Sequence, residues 1–306
     1  MSELYNLKEL SNKYAKKQPK MVDNLTEMTP ILERLKWQAA SHGMWNQAEE
    51  VSSITGAGWV NADAPLPVMN VASGLKKIDL QVLGGEMEQA EDTIEQFGGP
   101  APYFASKEPL ILKQAGMDTE VNLYYNNWIA KAIDDGNAQD AGEDTTGAYS
   151  IVAVRLEEGV NVGLFDPSGF KQGTLLVKKG INGGQRYHLR SQDGVVGYGV
   201  TMKGRFGWQN LSTRNVACIL NISTDAKPSA EQVDDMLHAV RATNRDTIIM
   251  MHPKCRSMAL GPLKTASLQM NVMDKEYNRV IATWDEVPIV TSYNILDGIE
   301  TVTTGL

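Results

Sequence analysis

Apolar residues at steps of three and four dominate one stretch of the chain, residues 106–137. Met117, Val121, Tyr125, Trp128 and Ala132 form a helical stripe, which Tyr124, Ile129 and Ile133 widen. Ser106 is suited to cap it, Glu108 and Pro109 to its first turn, and Gly136 to its end. The pattern predicts a helix of about 30 residues, roughly 45 Å long. A kink is expected at Gly116, with Asp118 capping a second segment. The face carrying Val121, Tyr125 and Trp128 is expected to pack on a sheet containing Ile151–Val154.

Elsewhere the periodicity changes. Leu4, Leu7, Leu10 and Tyr14 lie at helical spacing in a short N-terminal segment, and a second helix is expected from Asn24 to Ala40, starting at Thr29-Pro30. From Ser41 to Phe97 there is little to build a core. Ala62 to Pro67 excludes helix and central strand, Ile78, Leu80 and Val82 alternate as in a strand, and Gly84-Gly85 marks a bend or bulge before extended chain resumes through Ile94. The region reads as a long two-stranded excursion, stable only when laid on something else, such as another subunit. Beyond the long helix, strands are expected at 148–155, 160–165, 246–251, 280–283 and 287–292, with short β-prone pieces at 175–177 and 195–206. Asp166-Pro167-Ser168-Gly169 signals a turn, and Val216 to Ile222 is strand or short helix. Ser229 and Gln232 have capping-box spacing ahead of the stripe Val233, Met236, Leu237 and Val240, and Pro253 opens a further short helix.

Composition narrows the class. The 306 residues are 42% hydrophobic and 22% charged, values of a folded protein with a substantial core. No apolar run reaches the ~18–20 residues needed to span a bilayer, and the N-terminus lacks the apolar centre of a secretory signal. Two cysteines, Cys218 and Cys255, fit a reducing compartment. The net charge of -8 argues against a dedicated reader of nucleic acid, though not against a protein that encloses it. Charge is unevenly spread. Lys8, Lys13, Lys16, Lys17 and Lys20 make a basic arm, while Glu86, Glu88, Glu91, Asp92 and Glu95 make an acidic ribbon; each is either solvated surface or a face turned to a different partner.

Catalytic chemistry is weakly represented. His42, His188, His238 and His252 are scattered, and His252 with Cys255 is at most half of a metal site or a nucleophile pair without an orienting third group. Asp134, Asp135, Asp140, Glu143 and Asp144 are acidic enough for a divalent cation but lack the EF-hand spacing. Gly180, Gly183, Gly184, Gly194, Gly197 and Gly199 match no phosphate-binding loop and read as turns and bulges. Tyr124, Tyr125 and Trp128 lack the basic neighbours of a base-stacking platform. No catalytic, cofactor or metal residue is therefore nominated, and the chain reads as a non-enzyme.

Five phrases in order carry a resemblance: TEMTPILERLKWQAASHG (Thr26 to Gly43), KKIDLQVLGGEMEQAEDTIEQFGG (Lys76 to Gly99), ASKEPLILKQAGMDTEVNLYYNN (Ala105 to Asn127), DTIIMMHPKCRSMAL (Asp246 to Leu260) and TWDEVPIVTSYNIL (Thr283 to Leu296). Together they resemble the major capsid proteins of tailed bacteriophages with the Hong Kong 97-type coat fold, in a branch common among short-tailed phages. The resemblance implies an α+β fold: an N-terminal arm (1–40), an extended loop (41–100), a peripheral domain built on the spine helix (101–222), an axial domain (223–284) and a closing C-terminal strand (285–306). It implies an icosahedral shell, found in the virion, around double-stranded DNA. Partners would be further copies of the chain, portal and scaffold or decoration proteins, and packaged DNA contacted non-specifically, with no cofactor and no membrane. Trp59, Pro65, Leu66 and Pro67 are the expected inter-subunit residues of the loop, and Lys8, Lys13, Lys16, Lys17 and Lys20 the interior basic arm facing phosphate. Because the sequence opens directly on the arm, scaffolding or protease functions are expected on other chains. The alternatives are a cellular nanocompartment shell of the encapsulin type, and a cytosolic α+β enzyme using His252, Cys255 or the Asp134 cluster.

Overall fold

A computed structural model describes residues 29–61, 64–144, 147–167, 177–191, 194–260 and 283–298. The basic arm, the Ser168-Gly169 half of the expected turn and the start of the strand expected from Val280 lie outside these residues. The described chain forms two compact units. Of the described residues, those in 29–83, 118–167 and 204–298 make up the larger and those in 84–117 and 177–203 the smaller.

In the larger unit the long apolar runs stack as strands. β5 (Ala138–Asp140), β6 (Tyr149–Arg155), β11 (Val216–Ile222), β12 (Thr247–Met251), β13 (Thr283–Trp284) and β14 (Val287–Thr291) form a six-stranded sheet in the order β13-β14-β12-β6-β11-β5. β6 is antiparallel to both β11 and β12, whereas β12 runs parallel to β14 and β11 to β5. Side chains of successive strand residues alternate between faces. Val152, Val154, Cys218, Leu220 and Met250 face one helical layer, and Ile151, Ala153, Ala217, Ile219 and Ile249 face the other. Both faces are covered, which explains why these strands read as continuous apolar runs.

One cover is α5 (Ala230–Ala239) with α6 (Pro253–Leu260). The Ser229/Gln232 capping box forms in both directions, and Val233, Met236, Leu237 and Val240 are buried. The other cover comes from α1 (Pro30–Arg34), the later part of α3 (Pro100–Asn122), a π-helical turn Leu123–Ile129 and α4 (Ala130–Asp134). The helix thus begins before Ser106, whose hydroxyl donates instead to Tyr103 O, and Pro109 lies inside it. Gly136 ends it at φ +73°, in the left-handed region that suits glycine. The irregularity sits at 123–129, not at Gly116. A π turn adds residues to the turn and rotates the buried stripe. Tyr124, Leu123, Trp128, Ile129 and Ala132 are therefore buried, while Met117, Val121 and Tyr125 are half-buried. The Tyr124 hydroxyl donates to Ser150 O at 2.7 Å on the edge of the sheet face that Trp128 covers.

Of the helix expected over 24–40, residues 24–28 lie outside the described residues, and within 29–40 the helix is confined to α1. Trp37–Ala39 becomes strand β1, parallel to β7 (Asn161–Phe165), because Trp37 opposes Gly163, where there is no side chain to obstruct the indole. The second part of β10 (Val196–Asn210) lies on the other edge of β7.

In the smaller unit, β8 (Val177–Gly180) and β9 (Tyr187–His188) pair antiparallel with the first part of β10, and β4 (Gln81–Ala90) is its other neighbour. Gly84 and Gly197 mark close backbone approach: a Cβ on Gly84 would lie 2.5 Å from Met202 O, and one on Gly197 2.1 Å from Gln89 O. Extended chain stops at Ala90, not Ile94, because α2 (Glu91–Gln96) turns Ile94 into a small core with Tyr103, Phe104, Val200 and Met202.

The acidic ribbon belongs to this unit and is largely paired within it. Arg190 bonds Glu86, Arg186 bonds Glu91, and Glu88 accepts the Tyr187 hydroxyl and the N–H groups of Arg190 (3.1 Å) and Ser191 (2.9 Å). The Tyr187 hydrogen bond is the main force holding the Glu88 carboxyl down at about 2. With its folded pKa depressed, Glu88 stabilises the fold at ordinary pH, and that contribution is lost as pH falls from about 4.5 toward 2. Tyr187→Phe is expected to raise the Glu88 pKa, read by carboxyl NMR titration, and to shrink this acid-side loss of stability. An unchanged titration would show that the backbone donors suffice.

Candidate functional site

Among the described residues, the hairpin of β2 (Trp45–Thr55) and β3 (Asn70–Asp79) has no second layer. Its register runs from Trp45 opposite Asp79 to Thr55 opposite Asn70, with one bulge beside Val51. Its root is fixed by polar contacts. Asn46 Nδ2 donates to Gln209 Oε1 and Gln209 Nε2 to Gly159 O, both at 2.7 Å, while Asn46 Oδ1 accepts Ser41 N–H at 2.9 Å. Nearby, Arg205 Nη1 donates to Asp166 at 2.9 Å and to Gly43 O at 3.2 Å. Ala40, Leu80, Val162 and Leu164 close a small apolar cluster, with Ile78 packed against it.

Away from the root the polarity inverts. Ile54, Val71 and Leu75 on the strands and Leu66, Val68 and Met69 in the connection are exposed, and Trp59 is fully so at 106%. Residues 52–74 carry a single charge, Asp63. Trp59, Pro65, Leu66 and Pro67 all lie in this connection, exposed. Gly58 and Pro67 approach across it, and Ala64 N–H donates to Asn61 O. Large contiguous apolar patches are rare on free monomers and mark surfaces that meet a partner.

The catalytic candidates are dispersed. The Cys255 thiol is buried and pushed up to about 12 by desolvation, which leaves it inert as a nucleophile. His252 stacks on Tyr149 at 4.7 Å, its Nδ1 accepts Lys254 N–H, and burial first, then Lys254, lowers its pKa. Of the acidic cluster, Asp135 pairs with Lys131, Asp140 accepts Gly142 N–H and Asn221 Nδ2, and Glu143 accepts the Ser223 hydroxyl. Among the described residues no three His, Cys, Asp or Glu side chains are gathered as a metal would require. Nor is any described helix long and apolar enough to cross a membrane.

Two features escaped the sequence reading. Glu120 is 1% exposed and ties together three distant segments, accepting the Ser292 hydroxyl, Asn294 Nδ2 (3.2 Å) and Ile31 N–H (3.3 Å). Its signal is a carboxylate four and eight residues before Tyr124 and Trp128, on the buried stripe itself. The second is a cavity of about 250 Å³ beside the π-helical turn, built from strand and helix residues distant in sequence.

A rooted, unbacked hairpin, a long helix across one sheet and an α+β body are the elements of the Hong Kong 97-type coat fold of tailed-bacteriophage shells. A chain of the bacteriophage Epsilon15 structure superposes on this protein with a TM-score of 0.61 at 15% identity, over 98% of both chains. The bacteriophage JBD30 capsid superposes at 0.58 and 10% identity, over 95% of this chain and 99% of the other. An encapsulin complex from Synechococcus elongatus reaches 0.47 at 11% identity, over 71% of this chain and 95% of that one. No protein-family model matches the sequence, nor does any curated protein. The resemblance read from the five phrases is thus borne out as fold.

Proposed function

We propose that this protein is a major capsid protein, a non-enzymatic subunit that assembles with copies of itself into an icosahedral phage shell around double-stranded DNA. The observation that carries the reading is the hairpin: ordered over ten paired positions, fixed at its root, and apolar where none of the described residues covers it. Covering that surface in a neighbour gains about 25 cal/mol per Å² of apolar area, minus the cost of association. In this reading residues 41–100 are the inter-subunit loop, 101–222 the peripheral domain, 223–284 the axial domain and 285–306 the closing strand. The lysines of the arm, Lys8, Lys13, Lys16, Lys17 and Lys20, face the packaged DNA through salt-dependent phosphate contacts. Portal and scaffold or decoration proteins are further partners, and the virion is the place of residence. The cellular nanocompartment is the same physical object with different contents; cargo found inside purified particles, nucleic acid or enzyme, separates the two.

Deleting residues 61–71 is expected to leave a folded subunit that no longer forms particles, read by circular dichroism, sedimentation and electron microscopy. Normal particles with the parent's heat resistance would remove the inter-subunit role from the loop.

A further inference from the structure

The larger unit carries both a projecting apolar side chain and a hole of the right size for it. The cavity beside the π-helical turn is lined by Trp37, Phe206 and Trp208 from the strands and by Asn122, Leu123 and Asn127 from the helix. Its volume of about 250 Å³ falls below the ~300–1,000 Å³ usual for cofactor and small-molecule pockets. It suits one large side chain. The fully exposed Trp59 is such a side chain, in an almost uncharged connection, and Trp is among the residues that most often anchor interfaces when seated in a pocket.

The hairpin forbids the two from meeting within one chain. Asp79 lines the cavity and is also the first rung of the hairpin, opposite Trp45. From there the ladder runs ten paired positions outward to Thr55 and Asn70. At about 3.3 Å per residue it holds the connection roughly 30 Å from the cavity at its own root. Only the cavity of another copy is within reach.

We propose that Trp59 of one copy seats in the aromatic cavity beside the π-helical turn of the next copy. The inference rests on the shell reading and supplies its receptor. Such a contact is heterologous, different surfaces meeting on the two partners, and repeats head to tail until a ring closes. The anchor and its socket then set the handedness of the ring, and the hairpin length sets the spacing between neighbours.

The test pairs Val60→Cys, next to the anchor, with Val82→Cys, a cavity residue 51% exposed. Trp59 is retained, and the native Cys218 and Cys255 are buried. Oxidised particles of the double variant are expected to give a ladder of covalent multimers on non-reducing gels, with neither single variant doing so. Adding Trp59→Ala, at a position without intramolecular packing, is expected to abolish the ladder and raise the protein concentration needed for assembly about tenfold or more. Particles that form without a ladder, or a ladder and assembly threshold unmoved by Trp59→Ala, overturn the anchor while leaving the shell reading intact. A parent chain that never forms particles overturns the shell reading, and the anchor with it.

Discussion

Trp128→Ala is expected to cost the subunit about 3–5 kcal/mol of unfolding free energy, the usual range for removing a buried Trp. The residue is fully buried and stands edge-on to Trp208 at 5.3 Å between ring centres. It belongs to the cluster that joins the helical cover to Val152, Val154 and Leu220 on the sheet. Small domains have only 5–15 kcal/mol of stability, so Ala here removes a large share. The indole N–H is buried and has no hydrogen-bond partner among the described residues. Its desolvation is a standing cost that Phe does not carry, so Trp128→Phe should lose no more than about half as much as Trp128→Ala. The comparison belongs in the 61–71 deletion background, by urea denaturation, so that unfolding and not disassembly is measured. Equal losses for Ala and Phe would mean that the N–H has an acceptor after all.

What could be read from sequence follows how local its causes are. β6 and β12 read as strands, continuous apolar runs because both faces of their sheet are covered, whereas the equally apolar β11 left strand and short helix open; α5 carries its complete capping box within four residues. The long helix was legible as a helix and at its end, where Gly136 supplies the left-handed residue. Much of its buried face was legible too, since Tyr124, Trp128, Ile129 and Ala132 are buried as the stripe predicts; the exception lies within it, where the π turn seals Tyr124 and leaves Tyr125 half-buried. Nothing in residues 123–129 announces that turn. Trp37–Ala39 read as helix because its strand partner, β7, lies more than a hundred residues away, and propensity is silent about pairing. The acidic ribbon read as solvated surface or as a face for another partner, and its pairing inside the chain was missed for the same reason, since the paired residues are in 186–191. That Trp59 and Pro65 to Pro67 lie in an exposed connection was legible, because turn residues and an apolar run without periodicity are themselves the signal. The cavity was not, because its wall comes from four stretches of chain.

Glu120→Ala is expected to be as damaging as the loss of Trp128, for an electrostatic reason. The carboxylate is nearly sealed, and its partners are neutral donors: the Ser292 hydroxyl, Asn294 Nδ2 and the Ile31 N–H. Removing the acceptor takes away a partner from three donors on two segments, at about 1–3 kcal/mol for each donor left buried and unsatisfied. The same burial raises the Glu120 pKa above its ordinary 4.5, against the pull of the hydrogen bonds. A carboxyl whose folded pKa exceeds its unfolded one binds more protons in the folded state, so stability falls as pH rises from about 4.5 through the raised value. Glu120→Gln keeps an acceptor for Ser292 and Asn294, gives up the one offered to Ile31 N–H and carries no charge. It is expected to be less stable than the parent at low pH and to lack this slope, so that the two unfolding curves converge as pH rises. Parallel curves for parent and Gln variant between pH 4 and 8 would show that Glu120 is not the group whose protonation the fold favours.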